Sequence, residues 1–269
     1  MNNPYTLTRP LSDEIQQALM KITNACCQAG CPFFIAGATA REIMLTHVHN
    51  RDTGRRTRDI DIAVFIDDWD AFSRLKDIML EQGAEAANDN AHRLYWGGVE
   101  LDIIPFGSIA TDNQVAWPPD RDIIMSVDGF TDAWEHAALV AIPNCGDIRF
   151  CSLPGLLLLK LFAWRDRGDR NSKDAVDIYT ILREYSVIED SRLYDDDALA
   201  SSVDWLPERI GARLAGQDVA SIVTSQSVAG LQQLDQEKLI DAIVRQSGSA
   251  RAADIERCIN DFWHGLMGA

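Results

Sequence analysis

Several things are missing from this sequence, and each absence excludes something. No stretch is long and apolar enough to cross a bilayer; the best run, residues 153–164, is too short and contains Lys160. Six cysteines are present, yet none stands in a Cys-x-x-Cys pair or at a histidine spacing suited to zinc, so they read as buried thiols. No charged leader followed by an apolar core opens the chain, which predicts a cytoplasmic protein. Basic residues are few. Against 41 Asp and Glu there are 25 Lys and Arg, and the net charge of −16 argues against broad, non-specific adhesion to nucleic acid. There is no internal repeat, no low-complexity tract and no Gly-Lys-Ser/Thr ending of a P-loop.

What is present is enough apolar sequence for a sizeable core. A chain of 269 residues, 46% hydrophobic, is about two domains long. Within it, Arg58-Asp59-Ile60-Asp61-Ile62-Ala63-Val64-Phe65 reads as a buried strand whose pleat sends both carboxylates to one face. Carboxylates on so apolar a strand are costly unless a divalent cation or a basic group meets them. A parallel pair of them is one way to hold Mg²⁺ against nucleotide phosphates. Taken alone, the same pattern also fits two solvated carboxylates on an edge strand.

Upstream, Pro32–Leu45 reads as a short strand broken by Gly37, then a helix from Thr39 to Thr46. A strand, a small-residue turn and a helix N-terminus attract phosphate through backbone N–H groups and the helix dipole. The Thr39 hydroxyl is a further donor, although a plain strand-to-helix turn looks the same in sequence. Downstream, Val99–Phe106 is a second apolar strand with Glu100 and Asp102 on one face. Either could complete a three-carboxylate cluster with Asp59 and Asp61, and Asp102 is favoured because it sits deeper in the apolar run. Glu100 fits a wet strand face better.

The order of these elements resembles the polymerase-β-like nucleotidyltransferases. The wording "IAGATAREIML", "RDIDIAVFI" and "VELDIIPFG" is similar to AbiEii-type toxin nucleotidyltransferases, including the MenT-like enzymes, and the likeness continues through "SLPGLLLLKLFAWRDRGDRNSKDAVDIYTILREY". It spans about residues 30–185. The resemblance implies an α+β fold, a mixed sheet with flanking helices, as a catalytic domain over residues 1–150. An α-helical domain over residues 151–269 would close the cleft. It implies Mg²⁺ or Mn²⁺ on Asp59, Asp61 and Asp102, with Asp102 accepting the proton of the attacking hydroxyl. Gly37, Ala38 and Thr39 would cradle the phosphates, with Ala38 giving only its backbone N–H, and Arg41 joins them as a nucleotide-binding candidate. Lys160, Lys173, Asp174 and Asp177 match the helical-domain motif and are implied to contact the nucleotide. The activity implied is transfer of a nucleoside monophosphate from an NTP to an RNA (tRNA) 3′ end, with a cognate antitoxin as partner if the chain is a toxin. Small-molecule adenylylation, or a degenerate nucleotide-binding module, are the other readings.

Lys160 is the one charge in "LLLLKLF", so its ammonium is expected to reach a cleft or to snorkel, and Lys160→Met is expected to keep or raise stability. Asp174 and Asp177 lie one turn apart on one helix face, which fits either site residues or acids favoured at a helix N-terminus. Arg55, Arg56 and Arg58 cluster before the Asp-x-Asp strand, and Arg165, Arg167, Arg170 and Lys173 cluster around the second motif. Either cluster is solvated loop charge or a phosphate contact. His47 and His49 read as solvated residues at a helix end. Helices are expected at 11–30, 69–82, 131–138, 204–215, 235–246 and 250–266, the strands at 33–36, 59–66, 93–98 and 99–106, and a strand pair at 140–142 and 148–151. Ser172 is expected to cap the helix that follows it.

Overall fold

The computed structural model describes residues 3–52, 59–88, 90–168, 170–248 and 251–268. The chain divides into two compact units, Met1–Ser152 and Leu153–Ala269. The first is an α+β unit. Its elements are β1 (Tyr5–Thr6), α1 (Asp13–Ala29), β2 (Phe33–Ala36), α2 (Gly37–Glu42), β3 (Asp59–Phe65), α3 (Trp69–Glu81), β4 (Glu85–Ala86), β5 (Arg93–Trp96) and β6 (Val99–Phe106). They are followed by β7 (Gln114–Trp117), β8 (Ile123–Ser126), α4 (Phe130–Glu135), β9 (Ala138–Ile142) and β10 (Gly146–Phe150).

The main sheet is mixed, in the order β1-β9-β10-β2-β3-β6-β5-β4, while β7 and β8 pair separately. At its centre β2 runs antiparallel to β3, β3 parallel to β6, and β6 antiparallel to β5. Alternation of burial along β3 and β6 follows the pleat. Ile60, Ile62, Leu101 and Ile103 are essentially inaccessible on one side, while Asp61, Glu100 and Asp102 stay partly exposed on the other. The opening helix α1 begins where Ser12 Oγ accepts from the Ile15 N–H at 3.3 Å and ends at Gly30 in the left-handed conformation, φ 69°. It packs against α3 and β6.

Local chemistry moves several boundaries from their expected places. The helix after Gly37 starts at the glycine itself and continues as a π-helix over Ile43–Val48. Strand β5 stops at Trp96 because Gly97 and Gly98, at φ 57° and 85°, form a two-residue hairpin turn. The stretch expected as a helix over 131–138 is shorter, and its last residue already belongs to β9. The short strands β1, β4, β7 and β8 were not anticipated.

The second unit is helical: α5 (Leu153–Arg167), α6 (Lys173–Ile188), α7 (Asp197–Ser202), α8 (Pro207–Ile222), α9 (Ser225–Leu231), α10 (Gln236–Gln246) and α11 (Ala252–Met267). Ser172 does not cap α6. Its backbone, at φ −83° and ψ 0°, is outside the extended region a capping hydroxyl needs, and Asn171 Oδ1 accepts from the Lys173 N–H instead. The polar break "EDSRLYDDD" hides the start of α7, which Asp196 caps by accepting from the N–H groups of Ala198 and Leu199. Pro207 sets the start of α8, three residues later than expected.

Helices α8 and α11 pack backbone to backbone. A Cβ added at Gly216 would lie 2.1 Å from the Phe262 carbonyl oxygen, and one at Gly265 would lie 2.1 Å from that of Arg213. Alanine in a helix interior normally favours the helix by about 0.5–1 kcal/mol over glycine. Here the clash is with rigid backbone, and overpacking costs about 1–3 kcal/mol. Gly216→Ala should therefore lower the thermal unfolding midpoint, measured by circular dichroism. A raised midpoint would show that the two helices separate without cost.

Candidate active site

Register alone assembles the acidic face. Ala36 pairs with Asp61, Asp61 with Asp102, and Asp102 with Arg93, so one row runs across β2, β3, β6 and β5. A second row runs Asp59, Glu100, Tyr95. Side chains in register on neighbouring strands project from the same face about 4.8 Å apart. Asp59, Asp61, Glu100, Asp102 and Arg93 therefore share a face.

The row ends at the turn where β2 becomes α2. Gly37 has φ 61°, and a Cβ built on it would stand 1.7 Å from Asp61 Oδ2. Only glycine permits this approach of backbone to carboxylate. Gly37 and Ala38 are partly accessible, so their backbone is within reach of a ligand. Thr39 is not placed as expected: it is buried, and its hydroxyl donates to the Asp59 carbonyl oxygen at 2.6 Å, fixing the helix to the start of β3. Arg41 is 1% exposed and lies inside the unit rather than reaching out from α2.

The expected three-carboxylate cluster does not assemble. Arg93 donates from Nε to Asp102 Oδ1 at 2.8 Å and from Nη2 to Asp102 Oδ2 at 2.8 Å. Its Nη1 lies 2.7 Å from Glu100 Oε1. Among the described residues no three His, Cys, Asp or Glu side chains gather closely enough to hold a metal ion. The hydrogen bond to Asp102 pushes the Arg93 guanidinium further above its already high ordinary value. Beside it, burial holds the His92 imidazole below its ordinary value, against the opposing pull of Asp102. Asp59 and Asp61 are two carboxylates on one strand face, one of them seated in the Gly37 cradle, and their chemistry fits a hard divalent cation. Asp102, the expected third ligand, accepts from Arg93 at both oxygens.

Neither histidine of the long link from α2 to β3 is arranged as a ligand. His47 Nδ1 lies 3.1 Å from the Arg9 carbonyl oxygen, and His49 packs edge-on to Tyr5. Arg55, Arg56 and Arg58 lie outside the described residues.

In the helical unit the second motif closes on itself. Lys160 Nζ, on α5, lies 2.8 Å from both Asp174 Oδ1 and Asp177 Oδ2 on α6, and Arg167 Nε lies 3.0 Å from Asp174 Oδ2. Both aspartates are 2% exposed. Burial alone would lower the Lys160 ammonium; Asp174 and Asp177 outweigh it and hold it above its ordinary value. Burial would likewise raise Asp174, but Lys160 and Arg167 hold it below the usual carboxylate range. The ammonium thus neither snorkels nor stands open. Lys173, exposed at the start of α6, is not part of this network.

The sequence matches no family model and no curated protein. Among solved structures, the chain is similar to an antigenic nucleotidyltransferase-like protein from Paracoccidioides brasiliensis, at 17% identity, with 72% of this chain and 94% of that one covered and a TM-score of 0.44. It is similar to the antibiotic-resistance factor ANT(2'')-Ia at 16% identity, covering 91% of this chain and 97% of that one, TM-score 0.37. A third likeness is to the Thermotoga maritima CCA-adding enzyme complexed with tRNA, at 14% identity, 97% of this chain and 72% of that one, TM-score 0.28. Likenesses this distant carry no chemistry from one chain to another.

The Lys160 network reverses the stability expected of Lys160→Met. Removing one partner of a buried ion network leaves uncompensated charge and costs about 3–5 kcal/mol, more than the gain from an added apolar side chain. Urea unfolding at neutral pH should show a clearly lower midpoint for the variant. The Asp174 contribution, from a depressed pKa, is present above the unfolded value near about 3.9 and is lost as pH falls through the folded one. Wild type should therefore lose stability on acidification, and Asp174→Asn should lose less. An unchanged or higher midpoint for Lys160→Met would mean that the network contributes nothing.

Proposed function

We propose that this chain is a Mg²⁺-dependent nucleotidyltransferase, moving a nucleoside monophosphate from an NTP onto an acceptor hydroxyl. The observation that carries the reading is the Gly37–Asp61 contact: a carboxylate pressed against the backbone of a strand-to-helix turn, in line with Asp59 on the same strand face. A divalent cation on these carboxylates would lie next to backbone N–H groups at the start of a helix, which is what a triphosphate needs. When bound, Mg²⁺ on Asp59 and Asp61 supplies neutralising charge for the phosphate oxygens. Gly37 and Ala38 orient the phosphates by their N–H groups, and Thr39 holds the turn to β3. In the transfer, the acceptor oxygen bonds to the α-phosphorus, the bond to pyrophosphate breaks, and the hydroxyl proton passes to water. Asp102 is left an anchor for Arg93 rather than the proton acceptor.

A cavity in the same unit supports a small acceptor. It measures about 560 Å³, and its lining includes Glu14 and Glu42, the basic Arg9 and His47, the hydroxyl residues Ser12, Thr39 and Thr46, and an apolar wall. Thr39 joins it to the acidic strand. A space of this size with groups of both charges, hydroxyls and an apolar wall suits a small hydroxylated acceptor, and Glu14 and Glu42 would pair with an amine on it. RNA is the second reading: Arg165 and Arg167 pair with Asp166 and Asp174, while Arg167, Arg170 and Lys173 are exposed.

The first test is incubation of the pure protein with each labelled NTP, Mg²⁺ or Mn²⁺, and either total RNA or hydroxylated amines. Asp61→Asn should cost at least about a hundredfold in transfer, the scale of losing a charged partner in the transition state. Full activity in that variant would remove the assignment.

The acceptor is decided separately by ionic strength. Transfer to a small amine in a cavity should change by no more than about threefold between 50 and 200 mM salt, because partly buried charges are screened little. An RNA held through several phosphates would lose about tenfold or more over that range. A steep fall, with label recovered in RNA, would replace the small acceptor by RNA.

A further inference from the structure

The helical unit carries an aromatic pair that its core does not use. Tyr194 and Trp205, in the turns before and after α7, stack with ring centroids 6.3 Å apart and planes 21° apart. Both are about half exposed, at 52% and 49%, and Leu206 beside them is exposed as well. Trp205 is held in place: its N–H donates to the Ala200 carbonyl oxygen at 2.8 Å. Both it and Asp204 stand at φ 59°, a region that non-glycine residues rarely enter. The charge around the pair has one sign. Asp195, Asp196, Asp197, Asp204 and Glu208 lie within three residues of one ring or the other and are exposed, and no lysine or arginine falls between Leu193 and Arg209. Asp196 caps α7 and Asp204 meets Arg209 at 3.1 Å, while Asp195, Asp197 and Glu208 make no ion pair among the described residues. The flanking Arg192 is committed to Asp218 and Glu189, and Arg209 to Asp261.

We propose that this patch docks a basic segment of a partner protein, with an arginine side chain laid over the Tyr194–Trp205 stack and paired with the acids beside it. An aromatic face and nearby carboxylates attract the same group, and a planar guanidinium can stack on the one while it pairs with the other. Exposed aromatics of this kind are what interfaces bury near their centres. Charge disfavours the other occupants. A second copy would bring a like acidic rim against this one, and an anionic membrane or nucleic acid would be repelled in the same way. The inference stands on the helical unit alone and does not depend on the nucleotidyltransferase reading.

The test uses the full chain and short fluorescein-labelled peptides in which serine alternates with arginine, lysine or glutamate. Binding is read by fluorescence anisotropy at physiological ionic strength, where distant charges are screened. The arginine peptide should bind at one saturable site, the lysine peptide at least about threefold more weakly, and the glutamate peptide not at all. Trp205→Ala, folded by circular dichroism, should weaken the arginine peptide by about tenfold, and Tyr194→Ala should act in the same direction. Asp195→Asn with Asp197→Asn should weaken it too. Asp77→Asn with Glu81→Gln, which removes the same charge from exposed positions on α3, should leave affinity within about twofold. Wild-type binding in folded Trp205→Ala, equal losses in the two double variants, equal affinity for arginine and lysine peptides, or no binding of the arginine peptide would each overturn the proposal. Should Trp205→Ala not fold, Tyr194→Ala decides in its place. Self-association of wild type in sedimentation, abolished by Trp205→Ala, would overturn it in favour of a second copy.

Discussion

The acidic face depends on the register of β3 between its two neighbours. Asp61 must stand level with the last residue of β2 for its carboxylate to meet Gly37, and level with Asp102 on β6 for the row to continue to Arg93. A slip of one residue would turn Asp59 and Asp61 into the core and bring Ile60 and Ile62 out to solvent. The core guards against this: both isoleucines are inaccessible, and the opposing Leu101 and Ile103 are nearly so. Burial on one side of the sheet thus holds in place the charges on the other.

Several enclosed carboxylates of this acidic chain are met by arginine or lysine. Asp102 and Glu100 have Arg93, and Asp174 and Asp177 have Lys160 and Arg167. Asp261 on α11 meets Arg209 at 2.7 Å, and Asp218 on α8 meets Arg192 at 2.7 Å and the Tyr185 hydroxyl at 2.6 Å. Bidentate arginine serves at Asp102, Asp218 and Asp261, where the planar fork satisfies both oxygens. Lysine, a compact point charge, lies between Asp174 and Asp177. Some of the scarce cations are therefore committed to internal partners, Lys160 and Arg93 among them.

Much of the frame was legible because the signals are local. Apolar stretches marked β2, β3 and β6, and apolar periodicity marked α1. The shared face of Asp174 and Asp177 followed from their spacing of one turn. The short strands and the helices α7 and α9 gave too few residues for any period to show. Arg93 escaped notice for another reason. Its role was within reach of the sequence, since a Gly-Gly turn after Trp96 fixes the pairing back to Arg93 and Asp102, but only once both flanking stretches are taken as one hairpin.

What the sequence determined by itself is the set of things a chain segment settles alone: which stretches are strands or helices, that Asp59 and Asp61 face the same way, and that a glycine turn precedes a helix. Pleat and helical pitch repeat over two to four residues, so the residues that decide them are neighbours. The tertiary structure decided the partners. Lys160 meets its aspartates because α5 packs on α6, the Thr39 hydroxyl turns to the Asp59 carbonyl because α2 folds onto β3, and Asp102 is given to Arg93 instead of to its fellow acids. Each of these pairs residues far apart in the chain, or across a turn, and opposite charges at contact distance outweigh the preferences of either segment alone.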